Sequence, residues 1–175
     1  MIIMVNGPVG VGKTTVASLL NERLDNSMIY DPEEVGFMLR SIIPDEVKHA
    51  DEKTGDFQDL RLWRKMVVTV AEELVKTYRR NLIIPMTIYD PERFAYVKKG
   101  FEETGEKVVH FCLMAKREVI HERLTRRGDE PDSWAFHQTE KCLASFENDP
   151  KLFKKLIFTN TADQYEVVQT ILDSI

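Results

Sequence analysis

The run Gly7, Pro8, Val9, Gly10, Val11, Gly12, Lys13, Thr14 has the form G-x-x-x-x-G-K-T, and it dictates both a local conformation and a ligand. Gly7 lets the chain turn sharply off a strand. Gly10 and Gly12 let backbone N–H groups close around phosphate oxygens with no side chain in the way. Lys13 then reaches the β- and γ-phosphates, and the Thr14 hydroxyl ligates Mg²⁺. The flanks suit that use. Met1 to Asn6 is a short apolar run that reads as a buried strand, and Thr14 to Leu24 reads as a helix with Val16, Leu19, Leu20 and Leu24 inward. The helix N-terminus adds the positive end of its dipole to an anion already held by amides. The pattern predicts that Gly7 to Thr15 hold Mg-ATP.

A chain of 175 residues fits one domain, and 43% hydrophobic with 30% charged residues is ordinary for a globular fold. The formal net charge of -5 argues against nucleic acid as a partner, because no global positive field collects phosphates. Cys112 and Cys142 lack any metal-ligand spacing and read as buried free thiols of a reducing cytoplasm. The N-terminal apolar run is expected to start the core rather than act as a signal peptide. No apolar run approaches the roughly 20 residues that a membrane span needs.

Further along, strands and helices alternate without an internal repeat. Ser27 to Asp31 reads as a second strand, and Pro32 follows where it can open a helix, read as Glu33 to Ser41. Asp45 to Asp59 reads as loop. A long helix from Leu60 to Arg80 carries Leu60, Trp63, Val67, Val70 and Leu74 on one face, and Asn81 is expected to break it. Leu82 to Thr87, Lys107 to Met114 and Leu156 to Thr159 read as strands. Helices fill Pro91 to Glu103, Lys116 to Arg127, Ser133 to Glu147 and Asp163 to Leu172. Such alternation predicts an α/β fold in three layers, with a mostly parallel five-stranded sheet covered on both faces. Pro85 lacks a ladder donor and is expected at its strand's carboxyl end, where pairing finishes.

Ligands of open α/β sheets bind at the carboxyl ends of the strands, which directs attention to Asp31 and Thr87. Asp31 can accept the proton of a substrate hydroxyl, hold Mg²⁺ through water, or merely cap the following helix. The third strand ends without the acid expected of a metal-binding strand. Metal binding therefore rests on Thr14, with Asp31 or Asp90 reaching it through water. Arg123, Arg126 and Arg127 share one end of a helix that Gly128 terminates. They are expected to close as a lid, about residues 123–135, over transferring phosphate; the alternative is a solvated basic helix end. Arg40 lies in the segment of about residues 32–60 that would cover an acceptor. Trp63 reads as core rather than as a platform for a base. The four histidines show no ligand spacing, and the C-terminal face of Val167, Val168, Ile171 and Leu172 reads as packing on the sheet.

These pieces, with the turn Phe158, Thr159, Asn160, Thr161 before the last helix, resemble the nucleoside-monophosphate-kinase-like P-loop NTPases. Within that group, Tyr30 to Glu33, Gly36 and Phe37, Leu39 to Ser41, Asp56 to Gln58, Leu62 to Arg64, Pro85 to Thr87, and Ser133 with Trp134 are similar to the tunicamycin-resistance family. The resemblance implies a cytoplasmic ATP-binding protein, a monomer or dimer with peripheral membrane association open. It would confer resistance to a nucleoside antibiotic by modifying or sequestering it. Asn160 would lie on the adenine side, Arg123, Arg126 and Arg127 over the phosphates, and Asp31, Arg40 and Thr87 at the acceptor. Two classes stand: a small-molecule phosphotransferase with Lys13, Asp31, Arg123 and Arg127 in catalysis, or a non-catalytic ATP-binding protein that sequesters a drug or regulates a partner.

Overall fold

In the computed structural model, which describes residues 1–148 and 155–175, five parallel strands form one sheet in the order β2-β3-β1-β4-β5. The strands are β1 (Ile2–Asn6), β2 (Ser27–Ile29), β3 (Asn81–Met86), β4 (Val108–Met114) and β5 (Leu156–Phe158). Seven helices are described: α1 (Lys13–Arg23), α2 (Pro32–Ile42), α3 (Arg61–Tyr78), α4 (Pro91–Glu103), α5 (Arg117–Arg127), α6 (Trp134–Asn148) and α7 (Gln164–Leu172). The expected α/β architecture is present, and β1 occupies its centre with every residue buried.

The period of two in β1 divides the core. Ile2 and Met4 face one cluster with Leu82, Ile84, Trp63, Val67, Phe94 and Phe101. Ile3 and Val5 face the other, with Ala17, Leu20, Ile83, Ile120, Val168 and Ile171. Both faces are buried, so the strand reads as an unbroken apolar run rather than an alternation. Trp63 is core, its indole N–H donating to the Pro32 carbonyl at 3.2 Å. Cys112 and Cys142 are buried free thiols. Val167, Val168 and Ile171 pack inward, and no described helix is long and apolar enough to cross a membrane.

As expected, Pro85 lies at the carboxyl end of β3, as its penultimate residue opposite Val5 of β1 and beyond the last pairing with β2. The ladder explains why this costs nothing. Asn81 donates toward the β2 side, to the Asn26 carbonyl at 2.8 Å, and the Ile83 carbonyl accepts from Tyr30 at 3.0 Å on that same side. Leu82 turns the other way, donating to Met1 at 2.9 Å. Alternation therefore turns Pro85 toward the β2 side, and β2 has already ended at Ile29. Three boundaries move from expectation. The second strand stops at Ile29, leaving Asp31 as the N-cap of α2. The long helix ends at Tyr78 because Arg79 adopts a left-handed conformation at φ 52°, and Asn81 opens β3 instead of breaking a helix. Within the expected loop 45–59, Ala50–Glu52 and Phe57–Asp59 form short 3-10 turns.

The second of those turns fixes the geometry beside the site. Phe57 packs directly on α2 where Gly36 presents no side chain; a Cβ at Gly36 would lie 2.4 Å from the Phe57 ring. An alanine there gains helix propensity but meets a ring held by Phe37 on one side and Trp63 on the other. Overpacking wins, so Gly36→Ala should lower stability by about 1–3 kcal/mol. Urea denaturation with an unchanged slope measures it, and a variant as stable as the parent would mean that the turn shifts freely.

Candidate functional site

A cavity of about 460 Å³ opens where β1, β2 and β3 end. Its floor is the loop between β1 and α1, contributing Val9, Gly10, Gly12, Lys13, Thr14 and Thr15. Gly7 has φ 149°, and a Cβ on it would meet the Leu113 carbonyl oxygen at 2.5 Å; Gly10 has φ 81°, and a Cβ there would lie 2.9 Å from the Leu124 side chain. Only glycine allows the loop this close to its neighbours. The carbonyls of the loop are turned into the protein. Pro8 accepts from Lys13 Nζ at 2.8 Å, Val9 from the Thr139 hydroxyl at 3.1 Å, and Val11 from Arg123 at 3.3 Å. Gly7 N–H donates to Asn6 Oδ1 at 2.9 Å, and the same buried amide bonds both backbone groups of Ile88.

The opposite wall comes from the start of α2. Asp31 lines the cavity while its Oδ1 accepts from Glu33 N–H at 2.9 Å, so capping and exposure to the crevice coexist. Glu33 lines it too, and burial first, then the Asp31 charge, pushes its carboxyl above the ordinary range. Across from them, loss of hydration lowers Lys13 to about 8, against the pull of surrounding negative charge that includes Glu33 and Asp31. Thr87 lines the cavity just past β3, its carbonyl accepting from Gln58 at 2.8 Å. The residues fit a triphosphate with its cation: free loop amides, an ammonium, the Thr14 hydroxyl and one facing carboxylate. No group of three potential metal ligands exists among the described residues. Asp90 does not line the cavity; its Oδ1 caps α4 by accepting from Arg93 N–H at 2.8 Å.

The arginines divide. Arg123 and Arg127, one turn apart on α5, both line the cavity. Arg123 is locked, donating to the Thr159 hydroxyl at 3.1 Å and to the Thr159 carbonyl as well as to Val11. Among the described residues Arg127 is held only by Asp129 in the following turn, at 2.6 Å. Arg126 falls outside the cavity and pairs with Glu122 one turn back at 2.6 Å. The i+3 position rotates it away from the face that i and i+4 share here. Asn160 also lies outside, its Oδ1 accepting from the Lys116 N–H at 2.6 Å, which ties the turn after β5 to the start of α5. Pro8 and Val11 belong to the loop without lining the cavity, Val11 being buried.

A second cavity, of about 240 Å³, shares Glu33 and Trp134 with the first and adds Phe37, Arg40, Gly55 and Phe57. Phe37 and Trp134 are large rings left 48% and 58% exposed. Arg40 lies here, its Nη2 donating to the Gly55 carbonyl at 2.7 Å and its guanidinium over the Phe57 ring. Sequence reasoning assigned no role to Glu33, Phe37, Trp134, Thr139 or Thr159. The signal for Glu33 was present in its position two residues after Asp31. The others depend on how α6 and the turn at 57–59 pack.

Comparison with known proteins agrees with this geometry. The AAA domain family matches residues 3–142. No match is found among curated proteins. The structure of the Deinococcus radiodurans tunicamycin resistance protein is 31% identical, with 99% of this chain and 94% of that one covered and a TM-score of 0.79. An Acinetobacter baumannii shikimate kinase in complex with shikimate is 20% identical over 99% and 91% of the two chains, at a TM-score of 0.62. A gluconokinase from Sinorhizobium meliloti 1021 is 16% identical over 98% and 89%, at 0.65. The last two show a shared kinase-like fold. With a complete phosphate-binding loop, a match over most of its length and a relative above 30% identity, the chain belongs to the AAA-domain P-loop family and, within it, to the tunicamycin-resistance group.

Proposed function

We propose that the protein is an ATP-dependent phosphotransferase acting on a hydroxyl of a nucleoside-like compound or antibiotic. The observation that carries this reading is the single cavity lined by the phosphate loop, by Asp31 and by Arg123 with Arg127. Loop amides and Lys13 hold the β- and γ-phosphates, with α1 directing its N-terminus at them. Thr14 would ligate Mg²⁺, and the cation would supply charge neutralisation on the phosphates. An acceptor in the adjoining cavity presents its hydroxyl beside Asp31. As the acceptor oxygen bonds to the γ-phosphorus and the bridging oxygen leaves with ADP, the hydroxyl proton passes to the Asp31 carboxylate. Arg127, the less restrained arginine, closes over the moving phosphoryl group, while Arg123 holds the phosphate loop to the turn after β5. Asn160 supports the adenine side indirectly, by fixing that turn.

A second reading, an ATP-dependent sequestering protein, is favoured by one feature. The strand β3 ends at Met86 and is followed by Thr87, with no acid at either position, and Asp90 is used as a cap. Mass spectrometry of tunicamycin and a nucleoside panel after incubation with protein and Mg-ATP separates the two. A gain of one phosphoryl group on the acceptor upholds transfer. Retention of the compound with its mass unchanged favours sequestration.

Lys13 makes nucleotide binding depend on pH in an unusual window. Its ammonium titrates at about 8, so it is charged at neutral pH and neutral above that value. ATP prefers the charged form, so affinity should fall by about tenfold for each pH unit above 8, until the higher pKa of the complex is reached. Calorimetry from pH 7 to 9.5 reads this directly, and Lys13→Ala should bind weakly with a flat profile. A wild-type profile that is flat across the range would overturn the role of Lys13.

Asp31→Asn keeps the cap, since the amide oxygen can still accept from Glu33 N–H, but removes the base. ATP affinity should change little while single-turnover transfer falls by about 10²-fold, near the lower end for a positioned base because a loose transition state needs little early proton removal. Undiminished transfer in the Asn variant would leave Asp31 as a helix cap alone.

A further inference from the structure

Three peptide planes of the phosphate loop are anchored through their carbonyls. The Pro8 carbonyl accepts from Lys13, that of Val9 from the Thr139 hydroxyl at 3.1 Å, and that of Val11 from both Arg123 and Thr159. In a trans peptide the carbonyl and the N–H of the next residue share a plane and point opposite ways. The Val9–Gly10 bond is trans, so holding the Val9 carbonyl also fixes the direction of the Gly10 N–H. Among the described residues that N–H meets no protein acceptor, and Gly10 lines the cavity.

The Val9–Gly10 plane is the one most in need of its anchor. Flipping a peptide plane changes ψ of the residue before it and φ of the residue after it. Gly10 stands at φ 81° and, as glycine, accepts a negative φ equally well. A flip there would present a carbonyl oxygen where a phosphate needs a donor. The Val11–Gly12 plane has the same freedom but is held twice, by a guanidinium and a hydroxyl. The Val9–Gly10 plane has a single tether among the described residues, and Thr139 supplies it. Thr139 is wholly buried in the middle of α6, with one hydroxyl proton to give. A threonine inside a helix often spends that proton on the carbonyl one turn back. This one leaves its own helix and bonds a residue 130 positions earlier in the chain.

We infer that Thr139 is a positioning residue for the phosphate grip, aiming the Gly10 amide at the β- and γ-phosphates by holding the Val9 carbonyl. The inference rests on the reading of the loop as a nucleotide's phosphate site, and it holds whether or not transfer follows.

Calorimetric titration with ADP and with AMP tests it, because AMP lacks the phosphates that the Gly10 amide would meet. Loss of one charge-assisted hydrogen bond predicts ADP affinity about tenfold weaker in Thr139→Val and in Thr139→Ala. AMP should stay within about twofold of the wild type, and Thr139→Ser should restore the ADP value. Two variants that lose the hydroxyl but differ in bulk keep the comparison should one of them not fold. Ser145→Ala is the structural reference: it removes the bond from α6 to the Tyr89 carbonyl without touching the loop, and both affinities should hold. In protein labelled with ¹⁵N-glycine, saturating ADP should move the Gly10 amide proton downfield in the wild type and Thr139→Ser, and much less in Thr139→Val. Unchanged ADP affinity in both hydroxyl-free variants overturns the inference. Equal weakening of ADP and AMP does so too, since it marks a role in the fold alone. Failure of the parent reading looks different: a wild type that binds ADP no more tightly than AMP overturns the phosphate site itself, and Thr139's role with it.

Discussion

The Val9 and Val11 carbonyls of the phosphate loop are held by distant parts of the chain, and that anchoring is what the rest of the site depends on. A loop of this kind grips an anion only if its N–H groups converge, which requires its C=O groups to be satisfied elsewhere. Here they are satisfied by three distant parts of the chain. Thr139 of α6 takes the Val9 carbonyl, and Arg123 of α5 and Thr159 after β5 share that of Val11. Lys13 takes the Pro8 carbonyl with one of its donors and keeps the others for a phosphate. Asn6 closes the first turn from below and fastens it to Ile88 beyond β3. The loop is thus held in a binding conformation by tertiary contacts, and little ordering cost remains for a ligand to meet.

Helix α6 connects these parts. It contributes Phe136 and Leu143 to one core cluster and Cys142 and Phe146 to the other. Both faces of the sheet can be reached only from its end, so α6 lies across the carboxyl ends of the strands. From there Thr139 holds the phosphate loop, Gln138 reaches Asp56 beside the smaller cavity at 3.3 Å, and Ser145 bonds the Tyr89 carbonyl beyond β3. Trp134, its first residue, borders both cavities. A helix entered through the turn after Arg127 is therefore mechanically tied to both ends of the proposed reaction. Movement of that turn and the arrival of an acceptor bear on the same rigid element.

What the sequence disclosed follows from the range of the interactions involved. The phosphate loop and the Asp31 cap are local: glycines at fixed offsets and a proline at the first helical position specify them without reference to the rest of the chain. The alternation of strands and helices was legible for the same reason. Pro85 was legible as a problem and in its place at the strand's carboxyl end, but not which neighbour stops short there, because that depends on where β2 ends. The arginine cluster was read from spacing alone, and spacing could not say that Arg126 would find Glu122 while Arg123 found Thr159. Trp134 and Phe37 were invisible as a pair. Nothing in either local pattern indicates that Phe57 packs on Gly36 and that α6 begins beside them.

The charge pattern across the crevice explains why an acid-free β3 is compatible with this site. Lys13 on one wall loses hydration and is held at a low pKa, while Asp31 and Glu33 stand opposite, with Glu33 driven toward its neutral form. A further carboxylate at Thr87 would line the same cavity as these groups, at a position that is nearly buried. It would raise the cost of ionising Glu33 again and would compete with phosphate for Lys13. A neutral hydroxyl there avoids both effects and leaves its carbonyl to hold Gln58, and with it the turn that carries Phe57. The position where an acid is expected of a metal-binding strand is used here to hold the turn at 57–59, and the negative charge of the cavity lies at the start of α2.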